Sequence, residues 1–98
     1  MRGSMKQVAW ANQIIARYQA AREVIVSKTV ALPEANKSEI LAALEVIDSK
    51  ITHNENAEDV IARGGYAYLN TDDLAANVAA IMDVILDIAS GNESVLVS

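Results

Sequence analysis

The sequence predicts an all-α fold, a small antiparallel helical bundle of three long helices plus one short helix, with self-association. Three observations carry this expectation. Apolar residues recur at three- and four-residue steps over long stretches, the period of a helix face and not of a strand. Alanine is the commonest residue, at 17 of 98, while phenylalanine and cysteine are absent, a composition suited to closely packed helices. The single proline, the glycines and the short polar capping residues fall at the breaks between the periodic stretches.

The first periodic stretch runs from Met5 to Val30. Val8, Ala11, Ile14, Ile15, Tyr18, Ala21 and Ile25 line one of its faces. Lys6, Arg17 and Lys28 are eleven residues apart and stack on one side, roughly 16 Å between neighbours at the rise of a helix. Val24, Ile25, Val26, Thr29 and Val30 are β-branched and weaken the helical expectation over the last turn. Leu32-Pro33 ends this helix, and the next begins at Pro33 or, through a capping box of Asn36 with Glu39, at Asn36. Its stripe is Ile40, Leu41, Leu44, Ile47 and Ile51, and it fades into a polar turn around His53 and Asn54-Glu55-Asn56.

Asn56 caps a short helix from Ala57 to Arg63, which Gly64-Gly65 stops. Residues 66–70 alternate too briefly to make a strand. Thr71 is the expected cap of the last helix, with Asp72 and Asp73 at its positive end. Leu74, Val78, Ile81, Ile85 and Ile88, widened by Met82, form the apolar stripe of that helix. Asp73, Asn77, Asp83 and Asp87 fall on the other side, and Gly91 closes it.

The expected organisation is a leader of vector type at residues 1–4, a helical domain at 5–91 and a flexible C-terminal tail at 92–98, in which Val95-Leu96-Val97 are the residues able to dock. Burying six side chains of the last helix yields about 10–15 kcal/mol. Ordering its residues costs nearer ~30 kcal/mol, so no helix stands alone. The first helix, at ~39 Å, also outruns the last, at ~28 Å, which leaves an overhang that bends or packs on a second copy. A dimer is the expected assembly.

The charge is unevenly spread. Residues 1–32 carry five cations against the single Glu23, a net +4, whereas residues 33–98 carry three cations against twelve acids, a net −9. A chain of net −5 argues against a dedicated nucleic-acid binder, which needs clustered Lys and Arg. No apolar run is long enough to span a membrane, and no secretory signal is legible. A cysteine-free chain needs no oxidising compartment, and a cytoplasmic location is the default.

No constellation in the chain carries recognisable chemistry. One histidine and no cysteine remove the usual zinc arrangements, so no metal, cofactor or catalytic residue is expected. Asp83 and Asp87, one helical turn apart, are first a solvated acidic face and second a binding surface for a basic partner. His53 with Glu55 or Asp59 lacks a nucleophile and reads as an exposed turn histidine. Gly64-Gly65 has none of the lysine and hydroxyl companions of a phosphate loop.

The aromatic residues are few enough to be informative. Tyr18 belongs to the core. Trp10, at the edge of the apolar face near Arg17, suits a core, self-interface or partner contact, and Tyr66 and Tyr68, which flank the two-glycine loop, first suit packing over the end of the bundle and second presentation to a partner. Trp10, Arg17, Tyr66, Tyr68, Asp83 and Asp87 are therefore the candidate partner-binding residues. The expected function is a non-catalytic protein–protein interaction module, of the inhibitor, immunity, chaperone or adaptor kind, binding another protein through an acidic and aromatic surface. The alternatives are a transcriptional regulator using the basic first helix and a small enzyme with an anion site between subunits.

Overall fold

Ser4 opens the first helix. Its side chain accepts from the Gln7 amide at 3.1 Å, and the Gln7 side chain accepts from the Ser4 amide at 2.9 Å, a closed capping box. From there the computed structural model, which describes all residues 1–98, has helices α1 (Met5–Thr29), α2 (Glu34–Lys50), α3 (Ala57–Val60) and α4 (Leu74–Ser90). A single turn of π-helix, Ile61–Gly65, continues α3. There are no strands, so the chain is all-helical, and no helix is long and apolar enough to cross a membrane. At 25 residues α1 is about 37 Å long and sets the 44 Å long dimension of the molecule.

α1 is the spine. Ala11, Ile14, Tyr18, Ala21, Ile25 and Thr29 are buried along one face at helical spacing. The β-branched end stays helical because Ile25 and Thr29 are both buried there, and the Ser27 and Thr29 hydroxyls bond back to the Val24 and Val26 carbonyls.

α2 turns back along the spine. The Tyr18 hydroxyl meets the Leu44 carbonyl at 3.3 Å and Asp48 at 2.5 Å, and Leu44, Ile47 and Ile51 are fully buried. Its first residue is Glu34, behind Pro33, so Asn36 and Glu39 lie inside the helix and form no capping box.

α3 and the π turn then climb the N-terminal half of α1 in the same direction as α1. Asn56 caps α3 by accepting from the Asp59 amide at 3.2 Å. Gly64 and Gly65 do not end this segment through a left-handed conformation, since neither has positive φ. Their role is close approach. A Cβ on either would stand 2.9 Å from a methyl carbon of Ile14, and one on Gly65 only 3.3 Å from Trp10 Cζ2. Only a residue without a side chain lets the π turn lie this near the spine.

Three further expectations change at α4. Its cap is Asp73, which accepts from the Ala75 and Ala76 amides, while Thr71 supports Asp73 from outside the helix. Asn77, expected on the solvent side, is 2 % exposed and donates to the Thr71 carbonyl, tying the incoming loop to the helix. Leu74, expected in the buried stripe, is 44 % exposed, and Val84 takes a core position instead. Gly91, at φ 74°, closes the helix as its position predicts.

Both chain ends engage the fold. Arg2 bridges to Asn56, donating to the Glu55 carbonyl at 2.7 Å and accepting from the Ala57 amide at 2.9 Å. The C-terminal segment, expected as a flexible tail, docks. Leu96 is fully buried in the main core cluster, and Arg63 donates to the carbonyls of Leu96 and Ser98. The docking follows from apolar burial of Leu96 combined with a cation that satisfies the segment's carbonyls.

Candidate functional site

Three of the four arginines hold the fold together. Arg17 forks onto Asp72 Oδ1 at 2.9–3.0 Å and donates to the Leu69 carbonyl at 3.0 Å, pinning the loop before α4 to α1. Arg22 makes a two-pronged pair with Asp48 of α2, through contacts of 3.0–3.2 Å. Arg63 pairs with Asp59 at 2.8 Å while it grips the C-terminal segment. Arg17 is therefore an internal clamp and not the freely presented partner residue expected of it. The reason is electrostatic: Asp72 and an open carbonyl lie within reach, and a guanidinium satisfies both at once.

Protonation follows the same contacts. Burial pushes the Tyr18 hydroxyl far above the ordinary tyrosine range, and its hydrogen bond to the Asp48 carboxylate adds to the shift. The Asp48 hydrogen bond raises the Arg22 guanidinium above its usual value. The Arg63 guanidinium, helped by the Asn54 amide, holds Asp59 below the usual carboxylate range. Of these groups only Tyr18 is fully buried; Arg22 and Asp59 are partly exposed and hold neighbouring elements together.

On the outside, the structure brings two of the six candidate residues together. The rings of Trp10 and Tyr66 meet edge to face, with centroids 5.2 Å apart and planes at 83°. Trp10 is half-buried on the face of the π turn, and Tyr66 is 68 % exposed. Together with Gln7 and Glu58 they line a groove of about 300 Å³ whose floor is Ile61 and Ala62. Glu58 and Ala62 also line a neighbouring depression with Asn56 and Asp59, so an acidic corner lies beside the aromatic one. No lysine or arginine lines either depression.

The other candidates scatter. Tyr68 is half-buried with its hydroxyl 3.1 Å from Ser94 Oγ, so it packs the C-terminal segment and is not displayed beside Tyr66. Asp83 is exposed and Asp87 half-buried on α4; neither carboxylate is in an ion pair, and neither lines the aromatic groove. His53 is exposed in the turn after α2. No three His, Asp or Glu side chains converge as a metal would need.

Sequence reasoning missed Glu58, Gln7 and Ala62. A signal was present: 58, 62 and 66 are spaced by four residues and Gln7 and Trp10 by three, which places each set on one helical side. Gly64-Gly65 hides it, because two glycines read as a helix stop and put Tyr66 in a loop beyond it. The π turn instead carries the chain's helical winding through Gly65 up to Tyr66.

A second surface feature runs along the contact of α1 with α4. Val24, Lys28, Leu74, Ala75 and Val78 line one apolar depression of about 430 Å³. Lys28 and Val78 continue into another of about 240 Å³ with Leu32, Ile40 and Met82. Lys28 is the only charged residue lining either. No protein-family model matches this chain, and no curated protein or solved structure matches it at a significant level.

Proposed function

We propose that the chain is a non-catalytic protein-binding module whose partner docks on the corner formed by Trp10 and Tyr66. The observation that carries this reading is the pairing of two large aromatic rings at an open groove in a chain with only four aromatic residues. The hydroxyls of Tyr18 and Tyr68 are engaged inside the molecule, whereas Tyr66 stands largely in solvent. Exposed tryptophan and tyrosine contribute large contact areas at low entropic cost and dominate binding where they cluster. The net charge of −5 supports a basic partner surface, reached through charge steering that salt weakens.

The two alternative functions have less support. Binding of nucleic acid through α1 needs Arg17 and Arg22, and both are paired with aspartates. An anion site between subunits meets the same objection.

The test is affinity capture from the host lysate at low and high salt, comparing the wild type with Tyr66→Ala. A protein held by the wild type, released by salt and absent from the Tyr66→Ala sample supports the reading. Identical captures from both forms refute it. Self-association is a second proposal, favoured by the apolar furrow between α1 and α4. Light scattering on the wild type and on Leu74→Glu tests it, with a dimer that dissociates in the variant as the expected result.

A further inference from the structure

We infer that the groove beside Trp10 and Tyr66 takes an arginine side chain from a basic segment of the partner protein, with Glu58 as its counter-charge. This inference rests on the protein-binding reading and specifies what that site accepts. Two features of the groove select the occupant. Its aromatic end is built from Trp10 and Tyr66, and an aromatic ring attracts a cation placed over its face within about 6 Å of the centroid. Its other end is carboxylate: Glu58 is exposed and belongs to no ion pair, while its neighbour Asp59 is already committed to Arg63.

Trp10, Tyr66 and Glu58 line the same groove, so an aromatic wall and a carboxylate outside any ion pair face one occupant, and no lysine or arginine lines that groove. An apolar occupant would desolvate Gln7 and Glu58 without replacing their water. An anionic one would meet the Glu58 carboxylate with no lysine or arginine to offset it. A guanidinium satisfies both ends, because it is planar enough to stack on a ring and presents a fork of N–H donors to a carboxylate. A lysine ammonium supplies the charge without the stacking plane. In the neighbouring depression the Asn56 side chain and Asp59 Oδ1, which accepts no intramolecular hydrogen bond, can bond to the rest of the same segment, which is why a peptide and not a free small cation is the occupant.

Trp10 is the only tryptophan in the chain, so its fluorescence reports on this groove alone. The experiment titrates the full chain with a short Arg-Gly repeat peptide, following Trp10 emission and, in parallel, heat by calorimetry. The Lys-Gly analogue, an Asp-Gly peptide and free arginine are the comparison ligands. Saturable binding of the Arg-Gly peptide is expected, weaker binding of the Lys-Gly peptide, and none of the Asp-Gly peptide. Glu58→Gln should weaken binding about fivefold, the scale of one exposed ion pair. Tyr66→Ala should weaken it about threefold, the scale of an exposed cation–π contact. Glu39→Gln on α2 should leave it unchanged. Added salt should weaken the wild type more than Glu58→Gln.

All three substituted side chains are exposed, and unchanged helicity by circular dichroism verifies that the variants fold. Equal binding by the wild type and Glu58→Gln overturns the inference, as does free arginine binding as tightly as the peptide. If the Arg-Gly peptide does not bind but Tyr66→Ala still loses its lysate partner, the occupant is not basic and only this inference falls. If Tyr66→Ala loses no partner, the protein-binding reading fails on its own evidence.

Discussion

Alkaline pH offers a sharp test of the Tyr18–Asp48–Arg22 contact that ties α1 to α2. Tyr18 is fully buried, donates to Asp48 at 2.5 Å, and has its ionisation pushed far upward by burial and by that carboxylate. A folded-state value above the unfolded one means the contribution is fully present below about pH 10 and is lost as pH rises beyond it. The unfolded chain then releases a proton that the folded chain keeps. One such proton costs about 1.4 kcal/mol of stability for each pH unit above ~10, so the wild type should lose about 1.4 kcal/mol by pH ~11.

Tyr18→Phe removes the proton and with it this slope. At neutral pH the variant should be destabilised by about 1–2 kcal/mol. That lies at and below the low end of the range for a hydrogen bond to a charged group, about 1.5–3 kcal/mol, because Arg22 still satisfies the Asp48 carboxylate. Urea unfolding followed by circular dichroism, in steps from about pH 8 to about pH 11, measures both effects. The wild type and the variant should converge as pH rises. Parallel curves, with the same alkaline loss in both, would refute the assignment of a buried, protonated Tyr18.

Other perturbations probe other contacts. Leu96→Ala should cost about 2–5 kcal/mol by urea unfolding if the C-terminal segment docks as described, and almost nothing if it frays. Gly65→Ala should cost about 1–3 kcal/mol and shift Trp10 emission, because the added methyl meets Ile14 and the indole; an unchanged spectrum and stability would count against the close approach. Asp59 is held below its ordinary range, so its contribution is present above about pH 4 and is lost as pH falls through the lowered folded value. Acid titration of stability should accordingly be shallower in Asp59→Asn than in the wild type, and identical acid limbs would exclude the Arg63–Asp59 contact as the cause.

The parts of this fold legible in the sequence are those set by neighbours three or four residues apart. The buried face of α1, the stripe of α2, the Asn56 cap and the Gly91 stop all follow from local spacing. The parts that were not legible depend on partners far along the chain. Arg17 was available to a partner until Asp72, 55 residues away, claimed it, and Arg63 meets Leu96 across 33 residues. Asn77 has a polar side chain at a position that local pattern assigns to solvent. The Thr71 carbonyl draws its amide group inward, leaving Oδ1 buried without a partner. Of the candidate site, composition alone picked out Trp10 and Tyr66, since aromatic residues are so rare here. Their meeting across 56 positions, and the presence of Glu58 beside them, required the π turn.

The anchoring of both chain ends has a topological consequence. Arg2 is bridged at Asn56, and Ser98 is held by Arg63, seven residues further along the same helical segment. The two anchor points lie about 10 Å apart at the rise of a helix. A short glycine-rich linker would therefore close the backbone into a ring, and new ends could be opened at the exposed turn between α1 and α2. Such a circular permutant would keep every helix intact. It would also free both new ends at the tip farthest from the aromatic corner, the safer point for attaching a label or a fused domain.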